Sequence, residues 1–419
     1  MKMNSSFLKL WVAVALMASV VVAFAQPKDK DPISAAEKKD VLARIESTLT
    51  QWAFVPGIDF KQWPAMVEKE SAAIEKAQTA GEFTNLINRV MNSYGFSHIV
   101  LFSPEAGQAR NTQSRAGIGI RIEIEEKGIR VLMVFPESPA ADVGLQPGDL
   151  IIEADGKPVR QQADLAGGVG DTSKIVIMRG TERLEKTVTR RQYSTIIPET
   201  VEWKGDIAIL KIPTFDAGYN ISRIDSLMRE IKEKGKGVVL DLRGNGGGRV
   251  TNLQHLASFF LNRETQPMGT FVGKSDLMAY EKQFGPSTDA VAVAATVQRK
   301  VTASLNRGGV KLDMPVSVLI DGGSGSASEI MAGAMREQLG AKLYGRKSAG
   351  AVLASLIRPL GDDLGFMLQF PMTDYVTIKG LRIEGNGIVP DKDFPVARFG
   401  EPDGALDAAI AELSVLIKK

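Results

Sequence analysis

Cysteine is absent from the 419 residues, which excludes a disulfide framework, a cysteine nucleophile, a thiolate metal site and a lipidated cysteine. Histidine is almost as scarce. Only His98 and His255 occur, so a histidine-based zinc site is not expected and few side chains can act as a base near neutral pH. Net charge is +2, so no nucleic-acid partner is expected. After the first 25 residues no apolar run approaches the roughly 20 residues a membrane-spanning helix needs, and no internal repeat or low-complexity tract is found. No pattern calls for a cofactor.

What is present divides into segments. Lys2 and Lys9 precede an apolar run from Leu10 to Phe24, and Ala23-Phe24-Ala25 follows as a small-residue cleavage site. Residues 1–25 therefore read as a secretory signal peptide, and the mature protein as exported, periplasmic or secreted, with no stable membrane span. Residues 26–112 read as a helical domain. A polar tether leads to a capping box at Ser34-Ala-Ala-Glu37, then Val41, Leu42, Ile45 and Leu49 share one face. Helical patterns follow over 63–77 and 79–94, and the segment ends in a strand-like run opened by Ser97-His98.

From 113 to 192 the pattern is one of short alternating strands, at 117–125, 129–135, 150–154, 173–179 and 184–190. Residues 193–400 are α/β. Apolar strands at 207–212, 237–242 and 316–320 alternate with helices at 221–234 and 252–261, which argues for a mainly parallel, covered sheet. Residues 265–311 are polar and irregular and read as an insertion or lid. Residues 401–419 form a closing helix with Leu406, Ile410, Leu413 and Leu416 inward.

Two glycine-rich turns carry the chemistry. Asp321-Gly-Gly-Ser-Gly-Ser326-Ala-Ser-Glu329 runs from a buried strand into a helix, so Ser326 sits where helix N–H groups are free and developing negative charge is stabilised. Asp241-Leu-Arg-Gly-Asn-Gly246-Gly-Gly248 also follows a buried strand, without the spacing or lysine of a phosphate loop. Its backbone N–H groups suit the oxygen of a carbonyl under attack by a serine, about 3 kcal/mol per donor.

Ser138-Pro-Ala-Ala-Asp-Val-Gly-Leu-Gln-Pro-Gly-Asp149 followed by Glu153-Ala-Asp-Gly-Lys157 resembles a PDZ domain of the bacterial protease type. The resemblance implies that Gly117, Ile118, Gly119 and Ile120 form the loop receiving a peptide C-terminal carboxylate, the peptide adding as a strand. With Glu384-Gly-Asn-Gly-Ile-Val-Pro-Asp391, the two glycine-rich turns resemble the C-terminal processing (tail-specific) protease family and its tricorn-like relatives. The order of helical domain, PDZ domain and α/β core is similar too. That family implies a crotonase-like (ClpP/crotonase type) core with the PDZ domain inserted, and Ser326 as nucleophile. The tail-specific lysine position holds Ala351, and Lys347 lies four residues too early.

The tricorn-like branch implies instead His98 as base, Glu384 and Ser97 as its orienting partners, and the N–H groups of Gly246 and Ala327 as the oxyanion hole. The expected function is an exported serine endopeptidase acting on polypeptide C-termini or extended segments. A pseudoprotease that binds peptides without cutting them is the alternative that Ala351 raises. Acyl-CoA chemistry on the same fold suits neither an export signal nor a PDZ domain. His255 is expected to pack against the core.

Overall fold

The computed structural model describes residues 29–306, 308–361, 363–395, 397 and 401–418; the signal-peptide reading lies outside them. The α/β region is built on a six-stranded sheet ordered Thr200–Lys204, Ile207–Lys211, Gly237–Asp241, Val316–Ile320, Lys342–Gly345, Lys392–Asp393. Only the first pair is antiparallel. Gly237–Asp241 and Val316–Ile320 are buried at every position, as strands covered on both faces must be. Alternate side chains feed two cores. Leu210, Leu240 and Val318 pack under the helices Ile221–Lys234, Val250–Ala257 and Ala327–Leu339, while Ile209, Val239 and Leu319 meet Ala405, Ala409 and Leu413 of the closing helix Gly404–Leu416. Parallel strands end together, so the turns after Asp241 and Ile320 lie side by side.

A second, four-stranded sheet centres on Met367–Thr377, which pairs antiparallel with Val100–Phe102, Gly269–Gly273 and Ala354–Pro359. The sequence reading has the strand after Ser97-His98 but assigns it to no sheet, and has no strand within 265–311. Val100–Phe102 closes the helical stretch yet belongs to this sheet, and the core of the N-terminal helices is shared with Leu353, Phe366, Leu368 and Phe370. The polar stretch 265–311 contributes Gly269–Gly273 and then two short helices, Lys274–Phe284 and Ala290–Thr296, the first without a buried side chain. The helical pattern over 63–77 is two helices, Trp63–Glu68 and Ser71–Lys76. The second ends where the buried Lys38 ammonium donates to the carbonyls of Ile74, Glu75 and Ala77.

Between these parts a six-stranded antiparallel sheet runs Ile120–Glu125, Gly128–Val134, Leu150–Ala154, Thr172–Arg179, Glu182–Thr189, with Lys157–Pro158 on the third strand. A two-stranded ribbon, Ser114–Gly117 with Arg191–Ser194, carries the chain in and out. Ile129, Val131, Ile151, Ile175 and Ile177 form its own core.

Candidate active site

Ser326 caps the helix Ala327–Leu339 with φ 53° and ψ −119°, a conformation that costs a non-glycine residue about 1–3 kcal/mol and persists only when its surroundings hold it. Its N–H donates to the Ala351 carbonyl at 2.7 Å and to the Glu329 carboxylate at 3.1 Å. Glu329 is fully buried and also accepts from the Ser348 hydroxyl at 2.5 Å and from the N–H groups of Gly350 and Ala351 at 2.7 and 2.9 Å. Burial raises its pKa, and these hydrogen bonds oppose the rise. The helix start is thereby locked to residues 348–351, and the Ser326 hydroxyl, without a hydrogen bond among the described residues, is left to the groove.

Asn245, wholly buried, ties the second glycine-rich turn to the first. Its side chain donates to the Ile212 carbonyl at 2.8 Å and accepts from Gly247 N–H at 2.9 Å, while its carbonyl takes Gly325 N–H and the Ser328 hydroxyl. Gly247, at φ 97°, lies so close to the serine turn that a Cβ there would stand 2.5 Å from that of Ser326 and 2.9 Å from the Ala327 nitrogen. Only glycine fits. With Gly247 N–H spent on Asn245, the N–H groups of Gly246 and Gly248 on either side of it, and of Ala327 next to Ser326, meet no acceptor among the described residues. Ala327 is the first residue of the helix, where the dipole adds to its N–H.

His98 sits just before Val100–Phe102 at φ 59°, a second strained residue facing the same groove. Its Nδ1 is 2.6 Å from the Ser97 hydroxyl, which lies 2.9 Å from the Glu384 carboxylate. Glu384 is buried and also accepts from Ser97 N–H at 2.7 Å and Val352 N–H at 2.9 Å. A carboxylate only accepts, so the Ser97 hydroxyl donates to Glu384 and takes its own hydrogen bond from Nδ1–H. That assigns the neutral tautomer. The Nε2 lone pair of His98 is left free to accept a proton. Burial lowers the His98 pKa, and the charge of Glu384 pulls the other way.

Ser97, His98, Gly246, Ser326 and Ala327 all line one groove of about 920 Å³, with Glu384 behind it. No hydrogen bond joins His98 to Ser326 among the described residues. Ala351 also lines the groove, whereas Lys347 lies elsewhere, its Cε 3.1 Å from where a Cβ of Gly387 would stand. His255 is outside it, with Nδ1 2.8 Å from the Tyr219 hydroxyl and Nε2 3.2 Å from Asp225. No cluster of three histidine or acidic side chains suited to a metal occurs among the described residues.

The loop Gly117, Ile118, Gly119 and Ile120 is in the strand-rich domain. The carbonyl of Ile118 takes Ala140 N–H and that of Gly119 takes Phe135 N–H, and a Cβ on Gly119 (φ 84°) would meet that of Ser138 at 2.2 Å. Ile120–Glu125 is an edge strand, paired only with Gly128–Val134, so its other edge is open to an added strand. Sequence reasoning passed over Asn245, Glu329 as an anchor, and Arg110, Asp216 and Arg249 at the groove. For Asn245 a signal existed in its place amid the glycines.

The fold and the two glycine-rich turns are similar to those of serine-type peptidases that carry a PDZ domain. Residues 206–394 match the model of peptidase family S41, and residues 116–189 match that of the PDZ domain. A probable CtpA-like serine protease of Staphylococcus haemolyticus is 29% identical over 283 residues, 66% of this chain and 52% of that protein. The corresponding protein of Staphylococcus saprophyticus is 28% identical over 285 residues, again 66% and 52%. The chain thus spans about half the length of the curated relatives it matches. A Bacteroides fragilis structure assigned to the S41 proteases superposes with a TM-score of 0.59 at 18% identity, covering 89% of this chain and 97% of that one. The photosystem II D1 C-terminal processing protease gives 0.50 at 18%, covering 86% and 94%. At such identities these two likenesses show the fold alone.

Proposed function

We propose that the protein is an exported serine endopeptidase that holds extended polypeptide segments or C-termini on its PDZ domain and cleaves them through an acyl-enzyme on Ser326. The observation that carries this reading is the relay from Glu384 through Ser97 to His98, whose ring lines the same groove as Ser326. In the first half-reaction Ser326 Oγ bonds to the substrate carbonyl carbon as its proton passes to His98 Nε2. The carbonyl oxygen takes negative charge beside the N–H groups of Gly246 and Ala327. The imidazolium then returns its proton to the departing amine, leaving the ester. A water, deprotonated by the same nitrogen, hydrolyses it. The reading requires His98 Nε2 and Ser326 Oγ to come within hydrogen-bond reach in the substrate complex, as catalytic hydrogen bonds that are long in the free enzyme commonly do.

Treatment with a fluorophosphonate tests the reading. A mass adduct on Ser326, absent from Ser326→Ala and slowed by His98→Ala, is the expected result. Peptide binding without any adduct would favour the non-cleaving reading, which Ala351 at the groove motivates. A pH profile adds an independent check. Because burial lowers the His98 pKa and the base works only when neutral, kcat/KM should hold up as pH falls past the ordinary histidine value of about 6.5, then drop through one lower ionisation. A limb above that value would exclude His98 as the base.

A further inference from the structure

The groove is unevenly charged. Among the described residues that line it, Arg110 and Arg249 are cationic and Asp216 is the single carboxylate. Arg110 is engaged: it lies 2.5 Å from Asp216 Oδ2 and over the Phe102 ring. Arg249 is not. Its Nε stands 3.7 Å from Asp216 Oδ1, its side chain is 65% exposed, and its guanidinium makes no hydrogen bond among the described residues. Its planar donors therefore remain available at the groove, with Asp216 already shared with Arg110.

The backbone that carries this cation is fixed to the glycine-rich turn. Phe215 N–H donates to the Gly247 carbonyl and Arg249 N–H to the Phe215 carbonyl, each at 2.8 Å. Asn252 holds the Phe215 carbonyl from the other side at 2.8 Å. Arg249 thus follows Gly246 by three residues on the lining of the same groove.

We propose that Arg249, with Arg110 and Asp216 setting its position and field, is a specificity-determining residue that takes a substrate carboxylate a short distance along the groove from the scissile bond. This deepens the peptidase reading and rests on it. The carboxylate has two sources, an Asp or Glu side chain or the chain's own C-terminus. A planar guanidinium binds either as a fork.

The test reads binding rather than turnover, so it is separable from the question of cleavage. The full chain carrying Ser326→Ala is titrated against dye-labelled dodecapeptides of Ala, Val and Ser. One Glu or Gln is scanned through each position, and each peptide is made with a free or amidated C-terminus. Expected is about a two- to fivefold tighter binding of the acid over its neutral partner, at one Glu position or at the free terminus, as for a largely exposed ion pair. Adding Arg249→Gln should erase that preference and Arg249→Lys should retain part of it, and raised salt should weaken it. Absence of binding, equal affinity for acid and neutral peptides, or a preference unchanged by Arg249→Gln overturns the proposal; the last result would place carboxylate capture elsewhere, such as the Gly119 loop.

Discussion

Ser326→Ala should lower kcat by a factor on the order of 10⁴ to 10⁶, and adding His98→Ala should lower it little further. Nucleophile and base act as one unit in a proton-coupled attack, so once either is gone the other has nothing left to accelerate. What survives is whatever the N–H groups beside Ser326 and substrate binding supply on their own. The substitution is clean: the hydroxyl makes no hydrogen bond among the described residues, and alanine tolerates the positive φ as poorly as serine does, so stability should shift by less than about 0.5 kcal/mol. Steady-state rates on a protein substrate, with thermal melts of both single variants and the double, decide it. If the two losses multiply, Ser326 and His98 are not partners in one step.

How much of this could be read from residues alone depends on how local each feature is. Ser326 was legible because strand, glycine turn and helix start are consecutive, and the covered strands at 237–241 and 316–320 announced a parallel sheet through unbroken apolar runs. The strand-rich domain was legible from its turn residues. The second sheet was not, since Gly269–Gly273 pairs with residues 100 to 108 positions on and is too short to show a period against polar neighbours. Glu329 read as a first-turn acid complementing the helix dipole. Its anchoring of Ser326 needs donors from 348–351, which no local pattern brings near. His98 and Glu384, 286 positions apart, came from resemblance to a family. No spacing rule could pair them, and the structure brings them together by drawing Val100–Phe102 onto the edge of Met367–Thr377.

Glu384→Gln is the substitution that asks most of this arrangement, because it keeps the shape and removes the charge. The carboxylate accepts from three donors: Ser97 N–H at one oxygen, the Ser97 hydroxyl and Val352 N–H at the other. An amide cannot satisfy all three. With its nitrogen toward Val352 it opposes that N–H and donates to the Ser97 hydroxyl, which turns the relay round and places the His98 proton on Nε2, where the lone pair is needed. With its nitrogen toward Ser97 N–H the relay keeps its direction, but the imidazolium loses its counter-charge. Both placements leave a buried N–H without an acceptor, so a stability loss of about 1–3 kcal/mol is expected. Activity should fall by a factor of about 10² to 10⁴, as when an orienting carboxylate is neutralised in a serine–histidine–aspartate triad. A purely structural role would produce the first effect, and the pH profile separates the two. The Glu384 charge raises the His98 pKa against the stronger effect of burial, so without it the acid limb of kcat/KM should move to still lower pH. Should the residual activity of the variant keep the wild-type limb, Glu384 does not act on His98, and the relay is scaffolding.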